Sequence, residues 1–365
     1  MSNMNQFSYT TYPQKVVFGE NTLSELAAEV RAAGYARILL VTSGSEHGYA
    51  EKLMPLLSAC QVRVFDQAVM HVPIEYVEQA VKAVNQHKAD CVIAIGGGSA
   101  IGMGKALALK TGVPIIAIPV TYAGSEMTQI YGLTEANIKT TGKSPAVLPG
   151  LVIYDPKLSL QLPLELTVVS GINAIAHAVE GLYAHDRSPI TESFAIQGIV
   201  ALMEAIPLIE RAITDGTCDT QAYIDARSKA LYGAWMCGAV LGSTSMGLHH
   251  KLCHVLGGSF NLPHAQLHTV MLPHAIAYNQ SAATAQLQKL NATLGVTDIA
   301  QAMYEFSSRH GACVALKDLG MQEKDLDYAC ELALQKEYPN PRKIEKGPLR
   351  KLLQNAYEGL APELA

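Results

Sequence analysis

Three consecutive glycines, Gly96-Gly97-Gly98, followed by Ser99, stand between two segments of opposite texture, and this juncture restricts the fold more than any other stretch. Before it, Cys91-Val92-Ile93-Ala94-Ile95 is a short apolar run rich in β-branched residues, the pattern of a strand buried on both faces. After it, Ala100 to Leu109 carries small and apolar residues at helical spacing, with Lys105 among them. A glycine turn between a buried strand and a helix lets backbone N–H groups come close to an anion, and the helix N-terminus adds favourable partial charge. The turn predicts a phosphate or pyrophosphate ligand. It matches neither G-x-G-x-x-G nor the G-K-[ST] of a P-loop, so taken alone it also fits a plain turn.

The same alternation runs through the first 160 residues. Arg37 to Thr42, Gln61 to Phe65, Cys91 to Ile95 and Val113 to Pro119 read as strands, and Asn21 to Ala33 and Ile74 to Gln86 as amphipathic helices. This order predicts βαβ units and a parallel sheet with ligands at the carboxyl ends of the strands. Ser43-Gly44-Ser45 follows the first of these strands, where many dinucleotide folds place an acidic residue that binds the adenosine ribose and excludes a 2′-phosphate. Because Ser43 is small and neutral, use of either NADH or NADPH is expected. After Tyr154-Asp155-Pro156 the β-branched runs end and helical patterns take over from Leu164, which sets a boundary near residues 157–163. The expected domains are 1–160 and 161–365, each long enough to bury its own core.

A net charge of −5 and the absence of a basic stretch argue against nucleic acid as a partner. The seven cysteines never form C-x-x-C, so neither a disulfide framework nor a cysteine zinc site is suggested, and a reducing cytoplasm is expected. Met1 to Tyr12 lacks a signal-peptide pattern, and no run is expected to approach the length of a membrane span.

Polar residues concentrate in two places within the helical half. Asn173 and His177 are four residues apart in Ser170-Gly171-Ile172-Asn173-Ala174-Ile175-Ala176-His177-Ala178-Val179-Glu180, and His250 and His254 repeat that spacing in a second segment, so each pair shares a helix face. His264 and His268 follow. A lone histidine on an apolar helix is usually a core residue, but six of the twelve histidines (His177, His249, His250, His254, His264, His268) fall in these segments. Gathered imidazoles suit a metal or proton transfer near neutral pH.

In order and separation, Gly96 to Ser99, Pro119-Val120-Thr121-Tyr122-Ala123-Gly124-Ser125-Glu126, the Asn173/His177 helix, His250, His254 and Pro263-His264 resemble the iron-containing alcohol dehydrogenase superfamily. The resemblance implies an α/β N-terminal dinucleotide-binding domain with a parallel sheet, an all-α C-terminal domain of the dehydroquinate synthase-like kind, a catalytic cleft between them, and a homodimer. In metal-dependent members an aspartate and three histidines hold the cation. The corresponding positions here are Asn173, His177, His250 and His264. A neutral amide in place of the anionic ligand removes one negative charge and much of the hold on a divalent ion, so tight metal binding is not expected. The closer resemblance is to the maleylacetate reductase branch, through GGGSAIGMGK from Gly96, TYAGSE from Thr121, SGINAIAHAVE from Ser170, HHKLCHVLGG from His249 and Asn340-Pro341-Arg342. This resemblance implies catalysis without a bound metal.

That branch implies reduction of the carbon–carbon double bond of maleylacetate by NADH or NADPH to 3-oxoadipate, a step of aromatic degradation. Under this reading His250 and His264, with His177, polarise the ketone or bind a carboxylate, and His254 delivers a proton. Lys251 and Arg342 are candidates for the positive charge that a dianionic substrate needs, although helical geometry turns Lys251 off the His250/His254 face and Arg342 also suits a structural staple. Gly97, Gly98 and Ser99 would seat the pyrophosphate, and Thr121, Tyr122 and Ser125 would line the nicotinamide side, with packing the alternative for Tyr122. Lys105 suits either a place near the cofactor or a solvated helix face. The rival readings are an iron- or zinc-dependent alcohol or polyol dehydrogenase, and a catalytically silent nucleotide-binding protein.

Overall fold

The computed structural model describes residues 6–136 and 138–363. The chain falls into two compact units, one made of Thr11–Leu162 with Cys218–Leu231, the other of Pro163–Thr217 and the chain from Tyr232 onward.

In the first unit, strands β1 (Lys15–Phe18), β2 (Arg37–Val41), β3 (Gln61–Phe65), β4 (Cys91–Gly96) and β5 (Ile115–Pro119) precede an antiparallel ribbon of β6 (Ile130–Glu135) and β7 (Ile138–Lys143), and β8 (Leu151–Tyr154) follows. All but the ribbon form one parallel sheet in the order β1-β8-β5-β4-β2-β3. The chain moves from β2 outward to β3 and then returns to β4 on the other side of β2. The carboxyl ends of β2 and β4 therefore flank a topological switch point, where open α/β sheets leave a crevice for ligands. The glycine turn follows β4 and Ser43 follows β2.

Four strands lie where sequence periodicity predicted them, and four were missed: β1, β8 and the two strands of the β6–β7 ribbon. β1 and β8 have four residues each, too few to carry a pattern, and they are held extended by sheet pairing, β1 to β8 and β8 also to β5. The helix expected at 21–33 starts later: Thr22–Glu25 is a 3-10 turn and α1 spans Leu26–Ala32. Helices α2 (His47–Leu53), α3 (Ile74–His87) and α4 (Gly98–Thr111) complete the layer set. Successive strand residues point to opposite faces. Leu40, Ile93 and Ile95 meet Leu26, Val30 and Leu53 on one side, while Leu39, Val41 and Val92 meet Val77, Val84, Met103 and Leu107 on the other. Gly104 lets α4 lie close on β4, since a Cβ there would come within 2.9 Å of the Ala94 Cβ.

Two buried cations tie the unit together. Arg227, fully buried, donates to the Leu162 carbonyl at 2.8 Å, to the Tyr223 hydroxyl at 2.7 Å and to the Tyr122 hydroxyl at 3.2 Å. Lys105 is 1 % exposed, so the solvated alternative is wrong. Its ammonium shares three N–H groups among the carbonyls of Ser125, Thr128 and Ile130 and the Thr128 hydroxyl, all at 2.5–2.8 Å, which fixes the chain between β5 and β6. Burial pulls its pKa down to about 7, opposed by the Glu126 carboxyl.

The second unit is helical: α5 (Leu164–Tyr183), α6 (Pro189–Thr214), the later part of α7 (Gln221–Ser243), α8 (Leu248–Phe260), α9 (His264–Asn279), α10 (Thr284–Leu294), α11 (Ile299–Arg309), α12 (Leu326–Leu334) and α13 (Lys346–Glu358). Its core joins Leu248, Leu252 and Leu256 of α8 to Leu267 and Met271 of α9 and Leu353 of α13. α6 corrects one expectation, because its 26 residues are long and apolar enough to cross a membrane by length and composition. In the fold it packs on α5 and buries Ile199, Leu202, Ile206 and Ile209, as a core helix does. Ser188 and Thr191 form a capping box at its start, with Pro189 in the first turn.

Replacing Lys105 with Met leaves its four oxygen acceptors without their donor in a dry site. Lys105→Met is expected to lower unfolding stability by about 3 kcal/mol, measured by urea denaturation against wild type.

Candidate active site

The polar cluster of the helical unit is assembled by α5, α8 and α9. Asn173, His177 and Glu180 stand at positions i, i+4 and i+7 of α5 and share one face. From α8 come His249, His250 and His254, and from α9 His264 and His268. The ring centroids of His177 and His250 lie 5.0 Å apart, those of His250 and His268 5.2 Å, and those of His264 and His268 4.8 Å. His254 is 6.4 Å from His250 and stacks on His264 at 6.0 Å. The histidines singled out from sequence thus converge. His254 is exposed and His264 half-buried, whereas His177 and His250 are buried.

Four buried polar atoms of this cluster have no hydrogen-bond partner in the fold: Asn173 Oδ1, His177 Nδ1, His249 Nδ1 and His250 Nε2. Buried polar atoms are normally satisfied, so an unpaired group of this kind marks a place prepared for something else. Among the described residues, one trio of histidine, cysteine or carboxylate donors has its ligand atoms within 4.8 Å of one another: His249, Cys253 and His268. His177, His250 and His264 do not form such a trio, and the fourth member of the corresponding set, Asn173, is a neutral amide.

Glu180 was not anticipated as a site residue. It is 1 % exposed and accepts from His250 Nδ1 at 2.7 Å, from the backbone N–H groups of Gly247 and His250 at 3.0 and 3.3 Å, and from the His249 N–H at 2.8 Å. The Leu248 N–H goes to Asn340 Oδ1 at 3.2 Å. The open donors at the start of α8, whose N-cap Gly247 has no side chain to offer, are thereby satisfied from elsewhere. Burial alone would raise the Glu180 pKa, but the His250 hydrogen bond, the His250 and His249 rings and the Gly247 N–H hold it at about 2. Glu180 therefore carries a negative charge at neutral pH. The available signal in the sequence was its place as the one charged residue between Ile172 and Tyr183, in phase with Asn173 and His177.

Behind the open face, His249 Nε2 and His268 Nδ1 are 2.9 Å apart, and His268 Nε2 lies 3.3 Å from His264 Nε2. Burial and then the neighbouring imidazoles push the pKa of His249 down to about 3 and those of His177 and His268 well below the ordinary value. These rings are neutral at physiological pH.

In the sheet unit, Gly97, Gly98 and Ser99 form the start of α4, at the carboxyl end of β4. Gly96 has φ +142°, a conformation that a side chain would strain, and a Cβ there would collide with the Glu46 carboxylate. The Gly97 N–H donates to Glu46 Oε1 at 3.0 Å, and Ser43 Oγ donates to Glu46 Oε2 at 2.7 Å. An anion does sit on the glycine turn, but it is the chain's own carboxylate. Thr121 adjoins Gly97, and Ser125 lies on the segment fixed by Lys105.

Three sequence assignments need correction. The Tyr122 side chain is fully buried and its hydroxyl accepts from Arg227, so the ring packs in the core and does not line a ligand site. The Lys251 ammonium lies over the Tyr338 ring, 5.8 Å from its centroid, because its place on α8 turns it off the histidine face. Arg342 stacks on Tyr278 at 4.4 Å and donates to the Tyr278 carbonyl at 3.1 Å, the staple alternative.

The neutral rings set a pH dependence. His249 titrates near 6.5 when unfolded but at about 3 in the fold, so between these values the unfolded chain binds a proton that the folded chain refuses. Stability therefore falls as pH falls through 6.5 toward 3. In chelator-treated protein, His249→Leu is expected to flatten the plot of unfolding free energy against pH by about 1.4 kcal/mol per pH unit near pH 5, measured by denaturant titration at several pH values.

Family models for iron-containing alcohol dehydrogenase match residues 13–156, and for the C-terminal part of the Fe-containing alcohol dehydrogenase family residues 167–357. The chain is 47 % identical to a maleylacetate reductase of Burkholderia cepacia over 98 % of this chain and 100 % of that one. The solved structure of maleylacetate reductase from Agrobacterium tumefaciens superposes with TM-score 0.92 at 45 % identity, and that from Rhizobium sp. strain MTP-10005 with 0.91 at 45 %, each covering 98 % of this chain and 100 % of the other. With two family models spanning both units and full-length identity of this order, the chain belongs to the iron-containing alcohol dehydrogenase family, on its maleylacetate reductase branch.

Proposed function

We propose that this protein reduces the carbon–carbon double bond of maleylacetate with NADH or NADPH, yielding 3-oxoadipate. The observation that carries the reading is full-length identity of 45–47 % to several maleylacetate reductases, joined to a histidine cluster whose buried Asn173, His177 and His250 atoms await a partner. The hydride forms a C–H bond at the alkene carbon β to the ketone, the π electrons of the conjugated double bonds shift toward the ketone oxygen to give an enolate, and a proton then reaches the α carbon. Stabilising the developing oxyanion is the task of His250, with His177, Asn173 and His264 about it. A single preorganised donor of this kind supplies roughly 3 kcal/mol of transition-state stabilisation. Exposed His254, beside both His250 and His264, is the proton donor.

The family is one of metal enzymes, and here Asn173, His177, His250 and His264 would have to hold the ion. They fit it poorly: none is anionic, and the three histidines do not bring their donor atoms together as a cage. We derive no step through a metal and propose that turnover does not require one.

Gly97, Gly98 and Ser99, at the switch point beside Ser43, are the proposed pyrophosphate seat, with Thr121 and Ser125 toward the nicotinamide. Ser43 offers a neutral hydroxyl and excludes neither cofactor. Arg342 and Lys251 being engaged elsewhere, neither is assigned to the substrate carboxylates. A homodimer in the cytoplasm, with neither nucleic acid nor membrane as a partner, completes the reading.

NADH oxidation is expected to depend on added maleylacetate and to persist after treatment with EDTA. Dependence on a stoichiometric metal favours instead an alcohol or polyol dehydrogenase, and absence of turnover a silent binding protein. His250→Ala is expected to lower kcat/KM by at least about 100-fold; a near-normal value removes that ring from the mechanism.

Glu46 occupies the Gly97 N–H that the pyrophosphate needs. Removing its charge relieves a competitor and a like charge, so Glu46→Gln is expected to tighten NADH binding by about 5- to 10-fold, read by nicotinamide fluorescence titration.

A further inference from the structure

Hydrogen bonding from one ring nitrogen of a histidine decides what the other nitrogen presents. His250 meets Glu180 through Nδ1 at 2.7 Å, and its Nε2, buried and without a partner in the fold, faces away from that bond. The Glu180 carboxylate is surrounded by N–H donors and acts only as an acceptor, so the proton in this bond sits on Nδ1. The same carboxylate takes the N–H groups of Gly247, His249 and His250, which fixes the start of the helix carrying the ring. Backbone and side chain of His250 are thus referenced to one buried anion.

We propose that Glu180 is the positioning residue of the site: it locks the Nδ1 proton of His250 inward and so commits Nε2 as the atom that meets the substrate. When Nε2 also bears a proton, the ring donates it as a hydrogen bond to the ketone oxygen, and the Glu180 charge compensates the positive ring. A carboxylate behind a functional imidazole sets both its orientation and its proton, and loss of such a partner typically costs about 10- to 100-fold in activity. Glu180 touches neither substrate nor cofactor in this scheme and acts only through His250. The proposal rests on the reductase reading given above.

A structural role for Glu180, as anchor of α8, makes a different forecast. Glu180→Gln preserves shape and one acceptor oxygen but places an amide donor against the ring, which favours the opposite tautomer. The expected result is a 10- to 100-fold fall in kcat with an unchanged KM for NADH, and no further fall when Glu180→Gln is added to His250→Ala. An effect of the same factor in both backgrounds overturns the proposal, as does an unchanged kcat in Glu180→Gln. Independently of turnover, 15N spectra of the histidine rings, with His250 assigned by its loss in His250→Ala, are expected to show Nδ1 protonated in wild type and a changed proton distribution in Glu180→Gln. An unchanged His250 signal overturns the proposal even where the double variant is too slow to measure. Failure of wild type to oxidise NADH with maleylacetate overturns the reductase reading itself, and the ring spectra then still decide whether Glu180 sets the His250 proton.

Discussion

A carboxylate buried from water is costly unless donors surround it, and in the helical unit Glu180 has four: three backbone N–H groups of the α7–α8 junction and α8, and the Nδ1 of His250. Each donor is itself a group that needed a partner. The first N–H groups of a helix have none inside the helix, and Gly247 cannot supply one from its own side chain. One interaction therefore resolves two deficits, and the orientation of His250 follows from it. Asn340 takes the Leu248 N–H and exchanges hydrogen bonds with Asn279, so the segment near the C-terminus closes the same helix start.

Around this anion His177, His249 and His268 are kept uncharged by burial and by the neighbouring imidazoles. Neutral rings can pair nitrogen to nitrogen, one donating and one accepting, which is how His249 and His268 meet across α8 and α9, and His268 in turn meets His264. Such a row stiffens the wall of the site without adding charge to it. Replacing an aspartate by Asn173 is consistent with that economy: the cluster contains one net negative group, Glu180, and it is already engaged.

The sheet unit satisfies its buried charges in another way. Lys105 and Arg227 are surrounded by carbonyl and hydroxyl oxygens, so each cation acts as a multiple hydrogen-bond donor that pins irregular chain to regular elements. Lys105 fixes the Ser125–Ile130 segment just beyond β5, and the glycine turn after β4, with no side chains of its own, receives the Glu46 carboxylate at the switch point. Glu46 shows how receptive that turn is to an anion.

Local sequence determined what depends on neighbours along the chain. The strand, glycine turn and helix around Gly96, the three other patterned strands, the passage to helices after Pro156 and the i, i+4 polar pairs were all legible, because period and backbone freedom are properties of short segments. The family motifs were legible for the same reason, as fixed residues at fixed spacing. Tertiary structure decided the rest. β1 and β8 are strands because the sheet pairs them, β1 with β8 and β8 also with β5, residues 218–231 join the sheet unit although their pattern is helical, and α6 is a core helix although its composition would suit a membrane. Tyr122 and Lys251 were misassigned because motif position does not say where a side chain turns once the core has formed. Glu180 lies 67 to 70 residues from the groups it binds, so its role exists only after α5 and α8 have packed. Long-range hydrogen bonds of a buried charge leave no period in the sequence; desolvation makes them obligatory, and only the folded chain shows with whom they are made.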